Sequence, residues 1–488
     1  MFDRLKSLIQ GVFGNMIGRQ DIQNAFHIDA AMTTEMENAI ALWAAAYRGE
    51  APWQLESNAK SLNLPVSISK EIARLVTVEF SSEVSNDPWL NEQYQKVTAQ
   101  LRNRIQRGIA LGGMIFKPYL INGEIAIDYV PEGYFVPTRY SSTGEITGLV
   151  LPEYKTIGEY TYTRLEHHEF DKQAKTYTIE NRAYKKYQTA ADHILGTPCA
   201  LTDVEGWADL QPKSTYTNVY APLFSYFRMP GDNIIDSVTP LGVSIYADAL
   251  PLIEDADRQY SRIDWEYTAK EAAIDVDRSA IMQDAKGRPI YPAGKERLFR
   301  TLDFGTGIGD TYHVYDPPIR DASLYNGLNE ILRRIEFSCC LAYGTLSDPN
   351  DIERTATEIN SSRQRSFSLV KDTQMALQRA LEGLIEAINC WAQIGGIQRY
   401  NPKLEITFNW DDSIVIDKQT ELAAMQADVA AGILKPELYL MKKYGVSEKE
   451  ALDMMPEKEN PIETLLQGAE TEAEGKPPDE NKTNGSET

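Results

Sequence analysis

Three stretches carry residue types that could do chemistry. Gly305-Thr306-Gly307-Ile308-Gly309 offers backbone amides of the kind that cradle phosphate, Glu166-His167-His168-Glu169 sets four metal-ligating types in a row, and Asp411-Asp412 pairs two carboxylates. Each fails on spacing or context. The glycines miss the dinucleotide spacing, and a strand-like segment follows where a helix should begin. Adjacent side chains on a strand point to opposite faces, so the Glu-His-His-Glu run cannot converge as a whole on one ion; a partly exposed strand is predicted. Asp411-Asp412 reads as a turn leading into a helix, without a matching acid, base or nucleophile. Gly-x-Ser-x-Gly, His-Glu-x-x-His and Walker patterns do not occur in the sequence. The prediction is a non-enzymatic protein with no cofactor and no metal site.

What remains is electrostatic. The 488 residues carry a formal net charge of -22, which argues against ordinary nucleic-acid binding, since that needs cations to replace phosphate counterions. It leaves room for a surface past which DNA slides without sticking. The four cysteines, Cys199, Cys339, Cys340 and Cys390, form no disulfide framework and fit a reducing cytosol. No apolar run is long enough to cross a bilayer. At the N-terminus Phe2, Leu5, Ile9 and Val12 share a helical face, which predicts a short docked helix rather than a secretory signal.

The elements that must position any site are legible as periods. Helices are predicted near Thr33 to Arg48, Ser67 to Phe80 and Asn91 to Leu111. A Tyr- and Thr-rich strand region follows, with turns at Asn122-Gly123, Ser142-Thr143-Gly144-Glu145 and Asp171-Lys172-Gln173. Ser244 to about Lys270 reads helical, with Pro251 as a kink or restart. Ala273 to Arg320 returns to strand and turn, including Lys286-Gly287-Arg288-Pro289. A second helix runs from about Ala322 to Tyr343. A polar loop then opens into a long helix, Thr355 to Trp391, of roughly 55 Å. Its stripe is Phe367, Val370, Leu377, Leu381, Leu384, Ile388 and Trp391, broken by Gln374, and Thr355 or Thr357 is its candidate cap. A strand at Leu404 to Trp410 and a smaller helical unit at Lys418 to Met455 follow, the latter interrupted at Gly432 to Pro436. From Glu459 the composition turns acidic and Pro/Gly-rich, which predicts disorder. The fold class is α+β.

Several segments in this order resemble the portal proteins of tailed bacteriophages, or head-to-tail connectors, in the subfamily from siphophages of Gram-positive hosts. Tyr47-Arg48-Gly49-Glu50-Ala51-Pro52-Trp53 is similar to the family's Tyr-x-Gly-x-x-Pro-Trp segment, and Ile72-Ala73-Arg74-Leu75-Val76 with Glu79 to one of its helices. Ile127-Asp128-Tyr129-Val130 with Phe135-Val136-Pro137 resembles its strand pair. Leu241 to Ala249 resembles the start of its first stem helix, and Thr355-Ala356-Thr357-Glu358-Ile359 its Thr-Ala-Thr-Glu-Val element.

The resemblance implies a domain plan: 1–240 an α/β wing, 241–272 a first stem helix, 273–320 a β-containing clip, 321–343 a second stem helix and 344–354 a tunnel loop. It continues with 355–416 as the long helix and returning wing strand, 417–458 as a helical crown and 459–488 as the acidic tail. It implies a ring of about twelve copies, a heterologous cyclic assembly. Double-stranded DNA would pass through it without sequence specificity during packaging and ejection. Implied partners are the terminase packaging motor, capsid and scaffolding proteins, and neck or head-completion proteins, with no membrane. The place is the host cytoplasm during assembly, then the portal vertex of the virion. Thr345, Ser347, Asp348, Asn350, Asp351, Glu353 and Arg354 would face the channel, helped by Arg258 and Arg262 on the stem. Asp284, Lys286, Arg288 and Lys295 would meet clip partners. Leu377, Leu381, Leu384 and Ile388 would form the subunit interface. The competing expectations are another virion structural protein, such as a minor capsid or neck component, and a polymer hydrolase with a paired acid-base site.

Overall fold

The computed structural model describes residues 18–57, 59–78, 80–121, 123–190, 194–291, 298–302, 312–348, 356–410, 418–444, 446 and 448–455. The N-terminal stripe, the 305–309 glycines, Asp411-Asp412 and the acidic tail lie outside them. Contacts divide the chain into two units, 1–415 and 416–488.

The larger unit begins with helices α1 (Arg19–Phe26), α2 (Thr34–Arg48), α3 (Pro52–Ser57) and α4 (Leu64–Thr77). The Thr33 hydroxyl accepts from the Met36 amide and so caps α2. Ile68, Ile72 and Val76 give α4 a fully buried face. That helix ends at Thr77, and Phe80 opens strand β1 (Phe80–Val84) instead of closing the helix. The single helix expected over 91–111 is two, α5 (Pro88–Thr98) and α6 (Leu101–Leu111). The halves pack on different neighbours, α5 on β1 and α6 on α4. One straight helix would lose one of those surfaces.

Two antiparallel sheets follow. One has the order β10-β2-β3, from β2 (Gly113–Ile121), β3 (Glu124–Pro131) and β10 (Ser225–Arg228). The other has the order β4-β5-β6-β7-β8, from β4 (Val136–Tyr140), β5 (Ile146–Ile157), β6 (Tyr160–Asp171), β7 (Thr176–Tyr187) and β8 (Thr197–Cys199), with β9 (Lys213–Thr217) also on β7. The predicted turns join β2 to β3, β4 to β5 and β6 to β7. At the first, Gly123 takes φ +84°, the left-handed backbone the hairpin requires.

Residues 241–249 are turns, not helix. Gly242 is held there by a close approach: a Cβ on it would meet the Gly112 carbonyl oxygen at 2.1 Å. Helix α7 (Leu250–Ala269) carries Pro251 in its first turn. Proline fits there because the first-turn N–H has no intrahelical acceptor. The three-stranded insert has the order β12-β11-β13, with β11 (Ala273–Asp277), β12 (Phe299–Leu302) and β13 (Tyr312–Tyr315). Helix α8 (Asp321–Ser338) packs on α7. It stops five residues short of the expected Tyr343. Cys340 takes φ +53°, with Leu341 N–H bonded to Glu336 O at 2.8 Å and Cys340 N–H to Phe337 O at 3.2 Å, a Schellman stop without glycine.

Helix α9 (Ala356–Ile394) runs 39 residues against β2, β10, α4 and α5. Its contact with the sheet is intimate, for the Ser225 hydroxyl donates to the Ala380 carbonyl. Strand β14 (Ile406–Trp410) then pairs with β1, stacking Trp410 on Phe80. The second unit holds α10 (Lys418–Ala430), α11 (Pro436–Tyr444) and α12 (Glu448–Asp453). The expected interruption lies between α10 and α11, where Gly432 has φ +72°.

Candidate functional site

The helix pair α7 and α8 carries three buried carboxylates, each at a junction with another part of the chain. Asp257 on α7 accepts from Trp53 Nε1 at 3.0 Å, Gln54 Nε2 at 2.7 Å and the Leu62 amide at 2.8 Å, tying 53–62 to the helix. Glu266, a little over two turns on, accepts from Arg320 Nη2 at 2.9 Å and from Lys270 Nζ at 2.7 Å, where the insert returns to α8. Those Arg320 and Lys270 bonds hold its carboxyl down at about 2. Glu336 on α8 accepts from the Leu346 amide at 2.6 Å, the Ser347 amide at 2.8 Å and the Ser347 hydroxyl at 2.9 Å. Sequence reasoning singled out none of these three. An acidic residue amid apolar helix positions at core spacing was the available signal.

The expected loop is therefore anchored at its start. Ser347 is buried against Glu336, the Thr345 hydroxyl donates to the Ala342 carbonyl, and the Asp348 amide donates to Asn329 Oδ1 at 2.8 Å. A loop that projects from Gly344 onward is corrected: Leu346 to Asp348 lie back on α8. Asn350, Asp351, Glu353 and Arg354 lie outside the described residues, as does Lys295.

Arg258 and Arg262 stand one turn apart on the exposed side of α7. Arg258 pairs with Glu254, and Arg262 lies 3.5 Å from Gln259 Oε1. In the insert, Asp284 organises the predicted turn. Its Oδ1 accepts from the Lys286 and Arg288 amides, both at 2.8 Å, and its Oδ2 takes Arg288 Nε at 2.9 Å. Those donors pull its carboxyl below the ordinary range, the Arg288 amide first. Asp284 and Arg288 thus hold the turn's shape.

Two sequence expectations are overturned. Leu377, Leu381, Leu384 and Ile388 are each 0 % exposed in the single chain. They fill the subunit's own core against the β10-β2-β3 sheet and are closed to a neighbouring copy. Gln374, the polar gap in that stripe, is buried with them. Glu166 and His168 are also buried rather than partly exposed. Residues two apart on β6 share a face, so His168 Nε2 meets Glu166 Oε1 at 2.8 Å while its Nδ1 meets Tyr177 Oη at 2.8 Å. Lys117 and Arg164 complete the cluster at 2.9 and 3.0 Å from Glu166 Oε2. Burial opposes charge on Glu166, but Lys117, His168 and Arg164 together hold its carboxyl well below the usual range. Burial likewise pushes the His168 imidazole down. A neutral imidazole donating to Glu166 and accepting from Tyr177 satisfies all three groups. The cluster edges a cavity of about 370 Å³ lined by Asp128, Glu153 and Glu166, of which Glu153 pairs with Arg164 and Glu166 with Arg164 and Lys117. Among the described residues no three His, Cys, Asp or Glu side chains form a group that could hold a metal.

A comparison with curated proteins returned no match. Residues 64–464 match the family described as phage portal protein, SPP1 Gp6-like. The match takes in the whole path from α4 through the sheets, the helix pair and its insert to the second unit, and on that basis the chain belongs to the SPP1 Gp6-like family of phage portal proteins and serves viral DNA packaging.

Proposed function

We propose that copies of this chain close into a ring of about twelve at one capsid vertex, with DNA passing through the centre. Residues 1–240 and 355–416 form the wing, α7 and α8 the stem, 273–320 the clip, 344–354 the tunnel loop and 417–458 the crown. The clip receives the terminase motor during packaging and neck proteins afterwards, while capsid and scaffolding proteins meet the ring's outer side. The observation that carries the reading is the chain order: one helix, a three-stranded insert, a second helix packed on the first, a loop rooted on that second helix, then a 39-residue helix.

The acidic balance suits a conduit. Like charge keeps a polyanion moving, and a few cations such as Arg258 and Arg262 give brief phosphate contacts. Subunit contact falls to residues that a neighbour can reach. Trp265 and Tyr267 on α7 are 65 % and 43 % exposed, and Tyr325 and Phe337 on α8 are 46 % and 54 % exposed. Large aromatics left in water on two packed helices fit a heterologous interface between copies. Electron microscopy of the purified protein tests the ring, and complementation of a portal-deficient phage tests its use. Closed rings that restore DNA-filled heads support the reading. A protein that stays monomeric and leaves heads empty overturns it.

A further inference from the structure

The family match assigns no residue to holding the loop, and the described part of that loop has an unusual floor. Glu336 is 0 % exposed, yet its carboxylate faces neither a lysine nor an arginine at ion-pair distance among the described residues. Two backbone amides and one hydroxyl, all from Leu346 and Ser347, surround it. Charge-assisted bonds of this kind are stronger than neutral ones, and a buried carboxylate needs them. The geometry is prepared locally. The Schellman stop at Cys340 reverses the chain, and the Glu336 carbonyl takes the Leu341 amide at 2.8 Å. The same residue therefore ends the helix through its backbone and seats the returning chain through its side chain. Asn329 lies seven residues earlier, on the same helical face, and takes the next amide, that of Asp348, at 2.8 Å. Gly344 N–H reaches Ser347 Oγ at 3.3 Å, which closes the loop root on itself.

We propose that Glu336 is a positioning residue for the tunnel loop: its buried carboxylate clamps Leu346 and Ser347 to α8 and so sets the place from which the following residues are presented to DNA. This rests on the reading of the loop as the DNA-contacting element. Asn329 extends the clamp by one residue. Without the clamp, the root keeps the Schellman stop and the Thr345 bonds to the Ala342 carbonyl, and Leu346 and Ser347 lose their tie to α8. The residues that follow would then be presented to DNA from a less defined starting point.

The test uses assembled, full-length protein. Hydrogen exchange is measured at Leu346 and Ser347 in wild type, Glu336→Ala and Glu336→Gln, together with the amount of full-length DNA retained in heads. A variant lacking Asp348 to Asn350 is the control for the loop reading itself. Glu336→Ala should form rings of wild-type mass, lose most protection at those two amides, and retain several-fold less DNA. Glu336→Gln keeps an acceptor oxygen for both amides and should restore both readouts. If Glu336→Ala does not fold, Ser347→Ala decides: it removes only the hydroxyl bonds and should give a smaller loss in both readouts. Unchanged protection in Glu336→Ala, or in Ser347→Ala where that variant decides, overturns the clamp. Lost protection with full DNA retention overturns its positioning role when the deletion variant still loses DNA. If the deletion variant also fills heads normally, the loop reading falls first and the positioning role with it.

Discussion

Helix α9 and the helix pair α7 and α8 carry apolar residues at the same helical period, yet they bury them differently. On α9, Leu377, Leu381, Leu384 and Ile388 are wholly enclosed within the subunit, where the helix packs on the sheet and on α4 and α5. On α7 and α8, Ile253, Ile263, Leu328 and Ile335 face inward while Trp265, Tyr267, Tyr325 and Phe337 remain in solvent. A period of three and four says that a face is covered. It does not say whether the cover is the same chain or the next one. The contrast places the α9 stripe in the subunit's own core and leaves the outer aromatics of the pair accessible for the contact between copies proposed above.

The largest effect should come from breaking the first half of that contrast. Leu381→Asp or Leu384→Asp places a charge in a dry core, at a cost of roughly 4 kcal/mol or more, and should unfold the subunit before any question of assembly arises. Circular dichroism should show a lost or strongly lowered melting transition. A normally folded monomer would return α9 to the subunit interface. The second half is broken by Trp265→Asp, which changes a side chain already 65 % exposed. The isolated fold should melt within a few degrees of wild type, since surface changes typically fall within about 0.5 kcal/mol.

A smaller effect separates the sheet core from the helix pair by pH. Glu132 at the end of β3 is 0 % exposed; its Oε1 accepts from Tyr226 Oη and the Gly242 amide, and Oε2 has no hydrogen-bond partner among the described residues. Burial pushes its carboxyl up to about 8, only partly offset by Tyr226, Gly242 and Arg228. A raised acid keeps its proton in the folded state, so its contribution is full below about 4.5 and is lost as pH rises through about 8. The slope from this one group is up to ~1.4 kcal/mol per pH unit. Glu266 has the opposite sign: held at about 2, it stabilises above the ordinary carboxylate range and loses that as pH falls from about 4.5 toward 2. Denaturant titrations of Glu132→Gln should flatten the decline between pH 5 and 8 relative to wild type. An unchanged slope would mean that Glu132 is already ionised.

The exposed insert should respond least in folding. Charge reversal of Lys286 alone should leave melting unchanged and weaken motor docking measured by pull-down or surface binding. Reversal of Arg288 should in addition loosen the turn that Asp284 holds. Equal motor binding by both variants would move the contact off this turn.

Much of the fold was legible, for reasons that can be named. Asn122-Gly123 and the two later turns announced their hairpins because so few residues accept the backbone they need. The long helix and the order around it followed from period and punctuation. The α5–α6 break was hidden because Leu90, Tyr94, Val97, Leu101 and Ile105 continue one stripe, and only two different packing partners divide it. The end of α8 was hidden because Cys340, not glycine, takes the left-handed position. Of the two expectations for Pro251, a kink or a restart, the structure has the proline in the first turn of α7. Of the site, the turn at 286–289 was legible, whereas the part Asp284 plays in holding it, and Asp257, Glu266 and Glu336, were not. The partners of the last three lie in loops whose path along the helices no local pattern encodes.

Whether copies meet through the outer aromatics of α7 and α8 is decided by light scattering coupled to size-exclusion chromatography, run on wild type and Trp265→Asp at the same concentration. Wild type should elute as a closed oligomer of many subunits and the variant as a folded protein of about one chain's mass. A monomeric wild type, or a Trp265→Asp protein that assembles to the wild-type mass, contradicts contact through those aromatics.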